Sequence, residues 1–312
     1  MNIREASQSD IPDIIKVLKA SLGEGSSEKT EKVWRYKHID NPFGESLILV
    51  AEEKNEIIGV RAFMRWNWQK GDKVYSAFRA VDTATHPDHQ GKGIFKKLTL
   101  NALAMGKERG DHFVFNTPNA QSKPGYLKMG WKEISKLRIH VIPVNPFYWK
   151  KEKEIMQNFS NDVPNEFLDL DKWNEDLIGS DKVFTPKGES YLNWRYVNNP
   201  MQSYFIKSNS EYFIAGYVKI HKNFKEFRIS ELLFTKDASR KTIKKIIMNW
   251  AKKFGVQFVS LNVPLEGTIF KRSLSGGLGP VLTFKLIDEN LDQNMFLKFK
   301  SWEYSLGDLE LF

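Results

Sequence analysis

The chain has 312 residues, 41% of them hydrophobic and 27% charged, which describes an ordinary globular protein long enough for two domains of about 150 residues. It contains no cysteine, which excludes disulfides, thiolate metal sites and a cysteine-linked acyl-enzyme. The net charge of +9 favours anionic partners; no apolar run nears the roughly 20 residues that span a bilayer, no signal sequence opens the chain, and the cytoplasm is the expected compartment.

Near the start, Ser9 or Asp10 can cap a helix that carries Pro12 in its first turn. Residues 33–42 read VWRYKHIDNP and are followed by LILVAEEKNEIIGVRAFM, a strand, a turn and a second strand. Ala80 to Thr85 form another strand, closed by Pro87, which cannot continue a ladder. Gln90, Gly91, Lys92 and Gly93 then make a glycine loop, after which Ile94, Leu98, Ala102 and Met105 recur at helical spacing until Gly110. Glycines at such a junction let free amides converge on an anion at the positive end of the helix, and a pyrophosphate is the natural guest. The loop lacks both Gly-Lys-Ser/Thr and G-x-G-x-x-G, which disfavours a nucleotide-hydrolysing P-loop and a dinucleotide site. Residues 112–131, HFVFNTPNAQSKPGYLKMGW, give a short strand, a turn at Asn116 to Pro118, a short helix and another strand.

The second half repeats the order of the first. NWRYVNNP at 193–200 echoes VWRYKHIDNP, YFIKSNSEYFIAGYVKI again reads strand, turn, strand, and Asn262-Val-Pro264 echoes Asn116-Thr-Pro118. The two Trp-Arg-Tyr triplets, 34–36 and 194–196, are expected to be helix ends packed on a sheet. The basic run 240–253 has helical spacing and is expected to be a solvated helix face. Two features of the first half do not recur: Asp237-Ala-Ser-Arg240 stands where the glycine loop would fall, and Phe270 where Tyr126 would.

The loop resembles the coenzyme A loop of the GNAT N-acyltransferase superfamily, Gln/Arg-x-x-Gly-x-Gly/Ala, with Gln90 and Gly93 in the first two fixed places and Phe95 departing from the third. Asn119, Ser122, Tyr126, Gly130 and Trp131 fall on a second family block, and IREASQSDIPDIIKVLKASL resembles the family's opening strand and first helix. Together these similarities span roughly residues 1 to 143. The resemblance implies an α/β (α+β) fold of two tandem GNAT-like domains, each a mixed, mostly antiparallel sheet flanked by helices. The expected division is residues 1–145, a catalytic domain binding acyl-coenzyme A, and 146–312, a degenerate copy shaping the acceptor cleft.

It also implies chemistry: direct transfer of an acyl group, acetyl being expected, from coenzyme A to an amine of a small molecule, sugar or peptide, with acetyl-CoA as co-substrate and no metal. Main-chain groups of Thr83 and Thr85 would pair with the pantetheine arm, and amides from Gln90 through Gly91, Lys92, Gly93 and Ile94 to Phe95 would hold the pyrophosphate. Asn119 and Ser122 would position the donor, and Tyr126 would protonate the departing thiolate. Asp82, on the strand beside the thioester, is a candidate base if its register turns it to the cleft. His86 and His89, near the loop, are expected to be exposed polar residues. By similarity to N-myristoyltransferases, a terminal carboxylate on Phe312 is a second candidate base. Two other classes fit the doubled fold: an aminoacyl-transfer-RNA-dependent ligase and a non-catalytic coenzyme A-binding or regulatory module. Nucleic acid and membrane are not expected partners, and the sequence sets neither acceptor, acyl length nor oligomeric state.

Overall fold

A computed structural model describes residues 1–23, 28–150, 170–264 and 274–309. The chain opens with β1 (Asn2–Glu5), after which Ser7 and Asp10 close a capping box. The Asp10 carboxylate accepts from Arg4 at 2.8 Å and from the Ser7 amide at 2.7 Å, and Arg4 above all holds that carboxyl below its ordinary range. α1 (Ile11–Leu22) starts from Asp10 with Pro12 in its first turn and buries Ile11, Ile14, Val17 and Leu18 along one stripe. α2 (Glu31–His38) follows, and then an antiparallel meander of β2 (Leu47–Glu53), β3 (Glu56–Lys70) and β4 (Lys73–Thr85). α3 (Ile94–Glu108) returns the chain to β5 (Phe113–Asn116), parallel to β4, and α4 (Lys123–Lys128) leads to β6 (Lys132–Lys136). The helix α3 lies close on the sheet because Gly59 has no side chain: a Cβ there would stand 2.8 Å from Ile94 Cγ2.

After β7 (Ile139–Pro143) come α5 (Leu170–Ile178), β8 (Val183–Phe184), α6 (Glu189–Leu192) and a wide helical turn over Asn193–Val197. β9 (Phe205–Ser208), β10 (Tyr212–Ile220) and β11 (Lys225–Phe234) form a second meander, followed by α7 (Arg240–Phe254) and β12 (Phe258–Leu261), parallel to β11. The run 240–253 is thus a helix that buries Ile243, Ile247 and Ala251 and leaves most of its basic residues at the surface. The described chain ends with β13 (Leu274–Gly276), β14 (Val281–Leu286), α8 (Gln293–Leu297), β15 (Trp302–Glu303) and α9 (Leu306–Leu309). Among the described residues no helix is long and apolar enough to cross a membrane.

The main sheet runs β1-β2-β3-β4-β5-β14-β6, with the short β8 and β15 attached at β3, and the second runs β13-β7-β12-β11-β10-β9. Each sheet has therefore given one inner strand to the other. β14, from late in the chain, lies between β5 and β6, and β7, from the first half, lies between β12 and β13. A division at 145/146 leaves each sheet without an inner strand. Nothing in the alternating patterns IHVIP and VLTFKL tells which sheet each strand will join, since either edge would accept the same hydrogen bonds.

The repeated triplets meet each other. The Tyr36 and Trp194 rings stack at 5.0 Å and 19°, Tyr36 Oη donates to the Trp194 carbonyl at 2.8 Å, and Trp194 Nε1 donates to the Tyr36 carbonyl at 2.8 Å. Around them, Trp66, Trp68 and Tyr75 of the first sheet and Tyr191, Phe213 and Trp302 from later in the chain form one continuous apolar cluster. Beside it the fully buried Lys187 pairs with Glu231 at 2.9 Å and Asp308 at 2.6 Å, and Arg79 of β4 donates to the carbonyls of Asp308 and Leu309.

Both meanders carry the same irregularity. Arg61 pairs with Thr83 and Ala62 with Val81, so Asp82 is an extra residue in β4, with φ at +40°. Ala215 pairs with Glu231 and Gly216 with Ile229, so Ser230 is the extra residue in β11. A non-glycine residue at such a φ costs roughly 1–3 kcal/mol, so its surroundings must hold it. Asp82 is held by an ion pair to Lys37 and by a hydrogen bond from His38 Nε2, the latter at 3.0 Å. Burial would raise the Asp82 carboxyl, but the charge of Lys37 and the hydrogen bond from His38 outweigh it and hold the group below the ordinary carboxylate range. His38 is itself fully buried, and burial lowers its pKa despite Asp82, so the ring is neutral at pH 7. A carboxylate can only accept, which places the ring proton on Nε2 and leaves Nδ1 to accept from Ser46 Oγ at 2.8 Å.

Two outcomes follow from these contacts. Residues 1–145 expressed alone should lack cooperative unfolding, and co-expression with residues 146–312 should restore a co-purifying, cooperatively unfolding pair; a well-folded isolated 1–145 fragment would show that β14 is dispensable. As pH falls below about 6.5 the unfolded chain protonates His38 while the folded chain resists, so the unfolded state binds more protons and stability declines. Melting curves between about pH 7.5 and about pH 5.5 should show that decline, and His38→Gln should flatten it relative to the parent chain.

Candidate active site

β4 and β5 hydrogen-bond only over Ala77–Arg79 and Phe113–Phe115, and past that point they part. The opening is a cleft of about 710 Å³. Its walls bring together Asp82, Thr83 and Thr85 from β4, Gln90, Gly91, Gly93, Ile94 and Phe95 from the glycine loop and the start of α3, and Asn119, Ser122 and Tyr126 from the segment around α4. Lys92 is the loop residue that does not line it: the side chain is exposed and reaches His89 Nδ1 at 3.4 Å. Phe312 and Phe270 lie outside the described residues.

The loop presents main chain to the cleft. Gly91 and Gly93 both adopt left-handed backbone, with φ of 77° and 73°, and a Cβ on either would meet no atom within 4 Å. Gly93 is the N-cap of α3 and supplies no side-chain acceptor, so the amides of Ile94, Phe95 and Lys96 open the helix without an intrahelical partner. The corresponding helix of the second half, α7, is closed instead by Ser239, whose hydroxyl accepts from the Thr242 amide at 3.3 Å. Gln90 is tied back to β4 through Nε2 and the Thr85 carbonyl, 3.3 Å apart.

Asn119 and Ser122 shape the start of α4. Asn119 Oδ1 accepts from the amides of Gln121 and Ser122 at 3.1 and 2.9 Å and from Ser122 Oγ at 3.0 Å. That turn aims Tyr126, which is 4% exposed, inward toward β3 and β4. Phe95, the departure from the loop pattern, turns toward the core and stands edge-on to Tyr126 at 5.5 Å and 88°. It fits because residue 125 is glycine: a Cβ at Gly125 would lie 2.9 Å from Phe95 Cε1.

Three residues next to these carried no signal in the motifs. Arg61 Nη1 donates to Tyr126 Oη at 2.7 Å and also to Thr83 Oγ1. Lys37 and His38 sit within the repeated segment VWRYKHIDNP, and only the fold reveals that they clamp Asp82. For Arg61 one trace was available, a lone cation inside the apolar strand IIGVRAFM. The Asp82 carboxylate is 20% exposed toward the cleft, but with its basicity lowered by Lys37 and His38 it is suited to anchoring the bulge and to presenting negative charge more than to taking a proton.

Residues 2–134 match the family model described as acetyltransferase (GNAT) domain. A GCN5-related N-acetyltransferase from Anabaena variabilis superposes with a TM-score of 0.65 at 12% identity, over 92% of this chain and 73% of that one. A protein of Enterococcus faecalis described as a probable N-acyltransferase gives 0.65 at 10% identity over 92% and 72%, and Eis1 of Mycobacterium abscessus gives 0.59 at 12% over 95% and 75%. At such identities these likenesses speak for the fold alone, here over nearly the whole chain. No curated protein sequence matches this one. The parting strands and the uncapped helix start fall within the residues that match this model, and residues 2–134 are similar to a GNAT acetyltransferase domain.

Proposed function

We propose that the chain is an acyl-coenzyme A-dependent N-acyltransferase, using acetyl-coenzyme A and acylating an amine of a small molecule, sugar or peptide. The observation that carries this reading is the start of α3: two left-handed glycines and a first turn of amides with no side-chain cap, facing an open cleft. Such a site offers main-chain donors and a helix dipole to a diphosphate and demands no particular side chain.

Past Arg79, β4 has no β5 beside it, which leaves that edge open to an extended chain of amides such as pantetheine, with the Thr85 carbonyl exchanging the Gln90 side chain for the incoming amide. Thr83 and Thr85 would supply that pairing, and the bulge at Asp82 bends the strand where the carbonyl would lie. Holding donor and amine in this geometry makes the attack effectively unimolecular. Tyr126 would then give its proton to the departing sulfur. Its hydroxyl already accepts from Arg61, which cannot accept in return, so the phenol proton is directed elsewhere.

Calorimetry with acetyl-coenzyme A tests the first step: Gly93→Val should weaken binding by about tenfold or more, which is about 1.4 kcal/mol, while Lys92→Ala should change it by less than about threefold. Tyr126→Phe should bind the coenzyme nearly as the parent does and turn over about 100-fold more slowly. Absence of coenzyme binding, or capture of charged transfer RNA in its place, would overturn the reading.

A further inference from the structure

Arg61 stands in the middle of β3 with none of its surface exposed, and no carboxylate pairs with it among the described residues. Its guanidinium carbon lies 4.6 Å from the centre of the Phe63 ring, 5.2 Å from Tyr126 and 5.7 Å from Phe95. Nη1 serves Tyr126 Oη and Thr83 Oγ1, while Nε and Nη2 are buried without a partner. Aromatic faces recover part of the desolvation penalty, but a buried cation lacking a counter-charge remains costly, and an unbranched apolar side chain would fill the same space between the rings at no such cost. A fold gains nothing by placing arginine there. The hydroxyls it touches belong to the residue proposed as proton donor and to the strand proposed to bind the pantetheine arm.

We infer that Arg61 is a positioning residue that fixes the Tyr126 phenol with its proton facing the cleft and supports the negative charge left on its oxygen once that proton has gone. This rests on the proposed acyl transfer. In that reaction the amine nitrogen bonds to the acyl carbon, the carbon–sulfur bond breaks with its electron pair on sulfur, and the Tyr126 proton completes the thiol. The phenolate that remains lies 2.7 Å from Nη1 of a permanently charged guanidinium. It regains a proton from solvent, which also takes the proton lost by the amine. Before transfer Arg61 sets the direction of the phenol O–H, and after transfer it supplies the missing counter-charge. A fully buried group reaches the substrate only through Tyr126 and the Thr83 hydroxyl, and the proposed pantetheine pairing uses the main chain of Thr83 and not that hydroxyl, so the effect of Arg61 should fall on turnover and not on coenzyme binding.

The test measures thiol release from acetyl-coenzyme A with a panel of primary amines, together with calorimetric binding of coenzyme A and melting temperature, for the parent, Arg61→Met, Arg61→Lys, Tyr126→Phe and the Met/Phe double variant. Arg61→Met should melt at or above the parent's temperature, because it removes an unpaired buried cation. It should bind coenzyme A within about threefold of the parent, turn over about 10- to 100-fold more slowly, and lose nothing further when combined with Tyr126→Phe. Arg61→Lys, which keeps a charged donor, should recover part of the lost turnover. A lowered melting temperature with normal turnover in Arg61→Met, or losses that multiply in the double variant, would overturn the role of Arg61 while leaving the acyl-transfer reading intact. A parent that releases no thiol, or a fully active Tyr126→Phe, would overturn that reading and this inference with it.

Discussion

The site depends on a single failure of pairing, the parting of β4 from β5 beyond Arg79 and Phe115. Main-chain groups removed from water without a partner are costly, so a sheet that opens inside a folded chain must either be filled or remain accessible. Here it remains accessible, and three separate devices keep it so. The extra residue Asp82 bends β4 and is pinned by Lys37 and His38 from α2, the Asn119 turn holds α4 away from the gap, and the glycine loop begins α3 without any side chain to close it. The clamp has a further consequence: the Lys37 charge and the His38 hydrogen bond that stabilise a strained Asp82 also lower its basicity, so structural anchoring competes with any role for it as a base.

The exchange of β7 and β14 ties that opening to the rest of the chain. β14 pairs with β5 along Phe113 to Asn116, and Thr283 donates to the Asn116 side chain, so the strand that carries Asn116 into the cleft is held from behind by residues more than 160 positions further along the sequence. Arg79, the last β4 residue to pair with β5, donates to the carbonyls of Asp308 and Leu309, which are in turn fixed by the buried Lys187, Glu231 and Asp308 cluster. Breaking one member of such a cluster leaves another charge buried and unpaired, at a cost of about 3–5 kcal/mol. The second half is therefore a structural part of the first, and contacts of high sequence separation dominate its assembly.

Much of this was legible from the sequence because it is written in local terms. The cap at Asp10, the strand ending at Pro87, the left-handed glycines at 91 and 93, and the α3 stripe of Ile94, Leu98 and Ala102 each depend on a few neighbouring residues. The repeat of Trp-Arg-Tyr correctly signalled packing, and the structure adds that the two copies pack on each other. What could not be read is relational. The partner of a strand is not encoded in its own alternation, so the exchange of β7 and β14 was hidden, and a division near residue 145 followed from the order of elements alone. Asp82 was visible as a carboxylate near the loop, but its bulge, and the Lys37 and His38 that pin it, arise from an α2 helix more than forty residues earlier. Arg61 was hidden for the same reason: only its neighbours reveal that it has no counter-charge.

The two halves also form an internal control on what makes a cleft. Both keep the bulged strand, the parallel pairing that stops short, and the helix that follows, so topology alone does not account for the difference between them. In the second half the helix start is closed by Ser239, and the C-terminal turn is packed against the bulge: a Cβ on Gly307 would lie 3.2 Å from the Ser230 carbonyl, and the side chain of Asn262 donates to the carbonyl of Tyr304. The space that the first half leaves open is thus used by the second half for its own chain. With its helix start capped and its bulge covered, the second half turns polar groups inward to build the Lys187 cluster, and Arg79 of the first half is anchored on the carbonyls of Asp308 and Leu309 beside it.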